Sequence, residues 1–471
     1  MRSFLKILTL AYLSFTTALP ETRHSIREED YDKGDIISRD VCVVGGGSGG
    51  TYTATRLRQL GQSVVVIEKA PLMGGMTNTY TVPGSGLKID YGVIVFHNIS
   101  IVQNYFDHYK IPLTGVALNG GGTTYNVDFT TGNDVVGPPP DPTVAIAALA
   151  AYVAQLEKYP YLDTGYNLPD PVPEDLLIPF KDFVKKYDLA PMVPFSQLGG
   201  GYADIIEQPT LYTMKILGRD LARSVVEGFV TTAAHNNGAL YEAATAELTA
   251  ASSLLLSSTI LSINRNNGKG FATIVVQTPT GRKLIKARKI VVAIPPRLSN
   301  FPGWDLDATE KGVFGTYTNE GYWTGLLSNT GLPEGTTINN VGANTLFNLP
   351  VFPGITSILP TAELGLFNVE YTSPHEMNDE SVKAEILAAL GRLKIPGVTT
   401  TPEKAVWKVF TSHTPFFEHV TEDQIRRGFY KRAMGLQGHK QTWYTGATWQ
   451  AHDSSMIWNF TETILPAIVK G

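Results

Sequence analysis

Residues 40–68 read DVCVV-GGGSGG-TYTATRLRQL-GQ-SVVVI-E, and this stretch decides the fold. Asp40 to Val44 is a short apolar run rich in β-branched residues, the composition of a buried strand. The next residues satisfy G-x-G-x-x-G at Gly45, Gly47 and Gly50. A helical stretch follows from Thr51 to Leu60, with Gly61 placed to end it. Ser63 to Ile67 is a second buried strand, and Glu68 closes the unit. Each part has a chemical reason. Gly45 permits a tight turn, Gly47 lets the backbone approach a pyrophosphate, and Gly50 lets the helix pack close to the strand. A helix N-terminus offers free amides and a positive dipole end, so Gly45, Gly47, Ser48, Gly49 and Gly50 are the candidate phosphate cradle. Glu68 is positioned to accept hydrogen bonds from a ribose diol, and its charge repels a 2′-phosphate. The full order of strand, glycines, helix, strand and acid raises this above a lone glycine-rich turn. Cys42, inside the first strand, reads as a small buried hydrophobe rather than a reactive thiol.

Working outward, 471 residues leave room for two interlocked domains. Hydrophobic residues make up 43% and charged ones 17%, which fits a compact enzyme and argues against extensive disorder. The net charge is -5 with scattered basic residues, so no nucleic-acid face is expected. A single cysteine excludes an intrachain disulfide and a Cys-rich metal site. The histidines, His413, His419 and His439 included, show no ligand spacing, and no metal is expected. Arg2 and Lys6 flank an apolar run from Ile7 to Phe15, followed by Thr16-Thr17-Ala18. A signal peptide over residues 1–19 is therefore expected, the run being shorter than the ~20 residues a bilayer span needs. The mature chain is expected to be secreted, with no membrane span. The sequons at Asn98 and Asn459 are compatible with that route.

After Glu68 the chain reads Lys69-Ala70-Pro71-Leu72-Met73-Gly74-Gly75-Met76-Thr77, and further on Ile89-Asp90-Tyr91-Gly92. With the glycine loop, this order resembles the flavoprotein superfamily of amine oxidases, protoporphyrinogen oxidases and phytoene desaturases. The resemblance implies FAD. It places Lys69, Gly74, Gly75 and Met76 near the flavin phosphates and ribityl chain, and Asp90, Tyr91 and Gly92 near the isoalloxazine. The family usually has Arg after the paired glycines; Met76 stands there, so no charge contact is implied. Asn237-Gly238-Ala239-Leu240 opens a helix, and Leu254 to Ile263 reads as a strand with a turn within it. Ile260 matches the family's hydrophobic residue whose backbone meets the adenine. Phe271 to Thr278, the turn Pro279-Thr280-Gly281 and the return from Lys283 read as a hairpin. Ala287 to Pro296 resembles the family's strand ending in Ala-x-Pro-Pro. Thr442 to Ala447 resembles its last cofactor segment, a strand, then Gly446, then a helix over the flavin. Ala447 replaces the usual acid, so contact there falls to backbone amides. Asp90 to Phe96 and the secretory start are similar to fungal flavoproteins of the β-cyclopiazonate dehydrogenase type. Polyenoic fatty acid isomerases are more distant relatives on the same scaffold.

The expected fold is mixed α/β. A Rossmann-type FAD-binding domain from residues 36–100, 236–300 and 440–471 is interleaved with a substrate domain. That domain takes residues 101–235, with a helical insert, and 301–439. Helices are expected at 143–159, at 180–187, and at 376–393 begun near Asn378. Pro138 to Pro142 reads as a stiff linker, and residues 303–352 as strands of a substrate-binding sheet. His97, seven residues past Asp90, is the candidate catalytic residue, as a polar partner of the flavin or a covalent link; a core or surface histidine is the competing reading. His452 is a second candidate to face the flavin. Tyr91, Phe96, Trp323, Trp407 and Trp443 are candidate pocket walls, against the plainer reading of core aromatics. No Ser-His-Asp or paired-carboxylate signature suggests hydrolysis. The expected function is an FAD-dependent oxidase or dehydrogenase acting on a small apolar or aromatic secondary metabolite. Hydride would pass to flavin N5, with dioxygen as electron acceptor. A flavin-dependent double-bond isomerase and a flavin-binding protein without turnover are the alternatives.

Overall fold

The computed structural model describes residues 27–116, 122–135, 141–198, 200–265, 268 and 270–470. The expected leader at residues 1–19 and most of the Pro138 to Pro142 run lie outside them. The strand read from Asp40 begins earlier, at Ile36, and ends at Val44. All of it except Asp40 pairs in parallel with the strand Gly281–Val292, but only Val41 to Val44 are flanked on the other side too, by Val64–Ile67. Those four are the buried ones. A strand covered on all sides reads as a continuous apolar run, so the sequence displays only that half.

The helix starts at Ser48 and ends at Gln59, three residues earlier than expected at its N-terminus. Glycine is a poor helix former, which hides Ser48, Gly49 and Gly50 from a propensity reading. Their place in the first turn is forced by packing, because any Cβ on Gly50 would collide with the Gly45 carbonyl oxygen. Gly61 does end the unit, with φ +79.

The first sheet is ordered Leu254–Leu255, Val64–Ile67, Ile36–Val44, Gly281–Val292, Ala272–Thr278 and Thr259–Asn264, with Thr442–Tyr444 also pairing with Gly281–Val292. That long strand changes partners along its length. Residues 281–287 pair with the hairpin strand, and Ile290 to Val292 pair in parallel with Thr442 to Tyr444. The segment expected as one strand with a turn, 254–263, splits into two strands on opposite edges of this sheet. The helix Ser454–Lys470 packs on Ser48–Gln59, where the Trp458 indole donates to Ser48 Oγ at 3.0 Å.

The second sheet is ordered Val406–Ser412, Thr318–Ser328, Leu366–Ser373, Gly354–Pro360, Thr336–Asn340, Thr123–Asp128 and Asn133–Asp134, with Phe416–His419 off its side. One of its faces is apolar, and Ile338, Ile358 and Val369 pack there against Val382, Ile386 and Leu390. The last three belong to the helix Asp379–Arg392, whose first turn is capped by Asn378 Oδ1 accepting from Ser381 N at 2.9 Å. Helices Pro142–Leu156, Phe180–Lys186, Thr210–Ile216 and Arg219–Glu227 form a further layer. In the second of these Phe180, Phe183 and Val184 are buried, as their spacing implies.

Candidate functional site

A single cleft of about 2180 Å³ runs from the glycine loop to the second sheet. Ordinary ligand pockets hold ~300–1,000 Å³, so this one has room for a dinucleotide and a substrate together. Gly45, Gly47, Ser48 and Gly49 line it at one end. A Cβ built on Gly47 meets nothing nearer than the Gly75 α-carbon at 3.8 Å, and one on Gly446 meets nothing within 4 Å. These glycines keep space open for a ligand rather than for protein. Gly50 serves the helix–strand contact instead and is not part of the lining.

Glu68 lines the same end. Its Oε2 accepts from the Gly46 amide at 2.6 Å and its Oε1 from the Ala70 amide at 2.7 Å, so two main-chain donors aim the carboxylate. Lys69, Gly74, Gly75 and Met76 follow along the wall, then Asp90 and Gly92. Burial raises the Asp90 carboxyl to about 6, partly offset by the Thr79 hydroxyl and the Asn237 amide that donate to it. Gly446 and Ala447 close this region.

Two expected contacts fall elsewhere. Tyr91 points away from the cleft, into a small core with Val82, Ile89, Leu326 and Leu366, and its hydroxyl meets Thr411 Oγ1 at 3.3 Å. Tyr91 lies just past the end of the strand Lys88–Asp90, so its packing against Leu326 and Leu366 of the second sheet sets its direction. Ile260 sits on the edge strand Thr259–Asn264, opposite Val276 and outside the cleft lining. Of the five aromatics considered as walls, Phe96 alone lines the cleft. Trp323, Trp407 and Trp443 pack into the two cores.

His97 lines the cleft but is only 1% exposed. Its Nδ1 lies 2.9 Å from Ser224 Oγ and its Nε2 2.8 Å from Asp453 Oδ2. Ser224 Oγ itself donates to the Asp220 carbonyl, so His97 Nδ1–H donates to the serine. Both ring nitrogens are therefore engaged, and neither is left to bond a flavin carbon. Burial would lower the His97 pKa, yet the Asp453 charge and hydrogen bond outweigh it and raise the value. His452 also lines the cleft, with its ring 3.9 Å from that of Phe416 and Nε2 accepting from the Phe417 amide at 2.9 Å. His413 Nε2 lies 2.8 Å from Asn78 Oδ1, and burial, helped by His452, lowers its pKa to about 3.

A matching family model, the NAD(P)-binding Rossmann-like domain, covers residues 43–110. The chain is 37% identical to FAD-dependent oxidoreductase oblC of Cochliobolus heterostrophus, with 100% of both chains covered. The chain belongs to the FAD-dependent oxidoreductases. This oxidoreductase is also 33% identical to beta-cyclopiazonate dehydrogenase of Aspergillus oryzae, over 98% of this chain and 97% of that one. Its fold matches that of a CLA-producing fatty acid isomerase from P. acnes, with a TM-score of 0.74, 17% identity, and coverage of 91% and 98%. FAD is the cofactor, and the open space over Gly47 and Gly446 fits it. The amides at the start of the helix Ser48–Gln59 would hold its phosphates, and Glu68 a ribose.

Several residues of the oxidoreductase's site escaped the sequence reading. Asp453, the partner of His97, lies 356 residues away along the chain, and Ser224 lies 127 away. Glu370 and the strand residues beside it carry no motif. Among the described residues, Asp307, Glu310 and His439 bring ligand-type atoms within 4.8 Å of one another. Arg265 donates to Glu310 at 2.6 and 2.9 Å, and Lys440 stands beside both acids, so their charge is already balanced by cations.

Proposed function

We propose that this FAD-dependent oxidoreductase is secreted and oxidises a small apolar or aromatic secondary metabolite. The observation that carries the reading is the continuity of one cleft from the dinucleotide loop to a sheet face some distance from it. FAD, when bound, would supply the two-electron acceptor for a hydride leaving a substrate carbon, with dioxygen, reduced to hydrogen peroxide, as the terminal acceptor. The chain's own part is to hold the substrate and exclude water. Tyr202, Tyr322 and Phe416 give that end of the cleft aromatic walls. Their rings pack together, Tyr322 and Phe416 at 5.0 Å and Tyr202 and Phe416 at 5.4 Å. Beta-cyclopiazonate dehydrogenase, one of the relatives, is named as a dehydrogenase, which supports oxidation as the reaction type.

The test is anaerobic mixing of the holoenzyme with candidate aromatic metabolites, followed by admission of air. Bleaching of the flavin bands and then oxygen uptake support the reading. A second reading, double-bond isomerisation, is favoured by the fold shared with the fatty acid isomerase. It is supported instead by a product of unchanged mass with a shifted double bond and no oxygen uptake. Secretion is tested by N-terminal sequencing of protein recovered from culture medium, expected to begin shortly after Ala18. Protein that stays in the cells with Met1 intact overturns that part. Asn98 is exposed and suits glycan attachment, whereas Thr461 of the second sequon is fully buried against Thr445.

A further inference from the structure

The cleft-facing side of the second sheet carries a continuous polar line. Cross-strand pairing puts Asn126 opposite Asn339, Asn339 opposite Ser357, Ser357 opposite Glu370, Glu370 opposite Thr324, and Thr324 opposite Thr411. Directly paired residues share one face of a sheet, so all six point the same way. Five of them line the cleft; Thr324 is buried, donating to the Tyr91 carbonyl at 2.6 Å. Their strand neighbours Val127, Ile338, Ile358, Val369 and Trp323 form the core on the opposite face. A purely hydrocarbon ligand gives such a face nothing to bond, and each polar group stripped of water without a partner costs affinity.

From this pairing we infer that the cleft selects a substrate bearing hydroxyl or carbonyl oxygens along one edge, with Glu370 as the central recognition residue. The inference deepens the oxidation reading and rests on it, since it assumes that the substrate occupies this end of the cleft. At the ~4.8 Å spacing of neighbouring strands, Asn126 to Glu370 spans about 14 Å, the length of a fused-ring molecule with its substituents. The Asn339 amide already donates to Asn126 Oδ1 at 3.3 Å, and the Ser357 hydroxyl to Glu370 Oε2 at 3.1 Å. Tyr322 also shares a hydrogen bond with Glu370, so the carboxyl's further acceptor capacity and the outer amide groups of the two asparagines are what is left to meet a ligand. Burial raises the Glu370 pKa, with the Ser357 and Tyr322 hydrogen bonds pulling it back. A carboxyl accepts from a hydroxyl and, when protonated, also donates to a carbonyl. No lysine or arginine lies among the lining residues of this sheet face. Phe347, Leu349 and Pro194 add apolar lining, which suits the ring faces of the same molecule.

The experiment titrates FAD-loaded enzyme with two probes of equal shape, 1,3-dihydroxynaphthalene and 1,3-dimethylnaphthalene. Binding is read from the perturbation of the flavin absorbance. The dihydroxy probe is expected to bind at least tenfold more tightly, although the dimethyl probe is the more hydrophobic. Glu370→Leu is expected to reduce the ratio below threefold without weakening the dimethyl probe. Asn339→Leu and Ser357→Ala should each lower the ratio, and they serve if Glu370→Leu fails to fold. A wild-type ratio near one, no response to either probe, or a ratio unmoved by the variants overturns the inference. Clear preference for the dihydroxy probe in an enzyme whose flavin no metabolite reduces overturns the oxidation reading alone.

Discussion

Gly46 and Gly47 are neighbours with opposite tolerances. A Cβ on Gly46 would press on Glu68 Cβ, Cγ and Oε2 at 3.2 Å, whereas Gly47 looks into open cleft. The motif by itself suggests the reverse, since Gly46 occupies its variable position. Gly47→Ala should therefore fold normally and lose most of its FAD, while Gly46→Ala should disturb Glu68 even in the apo-protein. Cofactor content and Tm of the two variants, measured side by side, check this; full FAD occupancy in Gly47→Ala overturns it. His97 and Asp453 set a pH dependence. The His97 pKa is raised above its ordinary 6.5, so its share of stability is complete below that value and is lost as pH rises through the folded pKa. The Asp453 pKa is lowered below 3.8, although burial pulls it up, because the His97 charge and hydrogen bond prevail. Its share is complete above 3.8 and is lost as pH falls through the folded value. The pair therefore contributes most between those limits. Tm should fall as pH is raised from about 6 to 8.5, and Asp453→Asn should flatten that slope. An unchanged slope in the variant shows that other groups control it.

Lys215 shows how elements far apart in the chain are joined. Its buried ammonium donates to the Leu162 carbonyl at 2.6 Å, the Gly165 carbonyl at 2.8 Å and Gln450 Oε1 at 2.7 Å. Gln450 directly follows the short turn Ala447–Trp449, so the helical layer is tied to the last cofactor segment. Burial pulls the Lys215 pKa well below its ordinary value. Lys215→Met should leave three buried acceptors short of a donor, at a cost of about 2–5 kcal/mol. For a chain of this length that corresponds to roughly 1 °C of Tm per kcal/mol. Calorimetry, with FAD retention as a second measure, tests it; a variant as stable as wild type removes Lys215 from this role. At this scale the sequence was most legible where local rules act alone. Asn378 caps its helix because its side chain serves the first turn, and Gly61 ends another because it accepts φ +79. The start of the glycine-loop helix was not legible, because packing against Gly45 overrides helix propensity there.

For the whole molecule, a cofactor lying between the first sheet and the helix Ser454–Lys470 should act as a clamp. A ligand that binds only the folded state adds about 2.7 kcal/mol at 100 times its Kd, roughly 3 °C here. Cofactor-stripped protein should gain that much with FAD and nothing with NADP, whose 2′-phosphate Glu68 repels. Equal stabilisation by both would mean that Glu68 does not meet the ribose. Thermal shift against ligand concentration measures the difference.

The sequence alone determined the dinucleotide unit, because a tight turn, a close approach to phosphate and a helix–strand contact all demand glycine within six consecutive residues. It also set the order of the flavoprotein segments, which is a property of the chain and needs no coordinates. Only the tertiary structure decided that Tyr91 joins a core and that His97 is tied to Asp453, since long-range partners leave no trace in local spacing. The polar line from Asn126 to Thr411 is of the same kind. Alternation along a strand separates two faces, but the helix Asp379–Arg392 decides which of them is buried and which is left to the cleft.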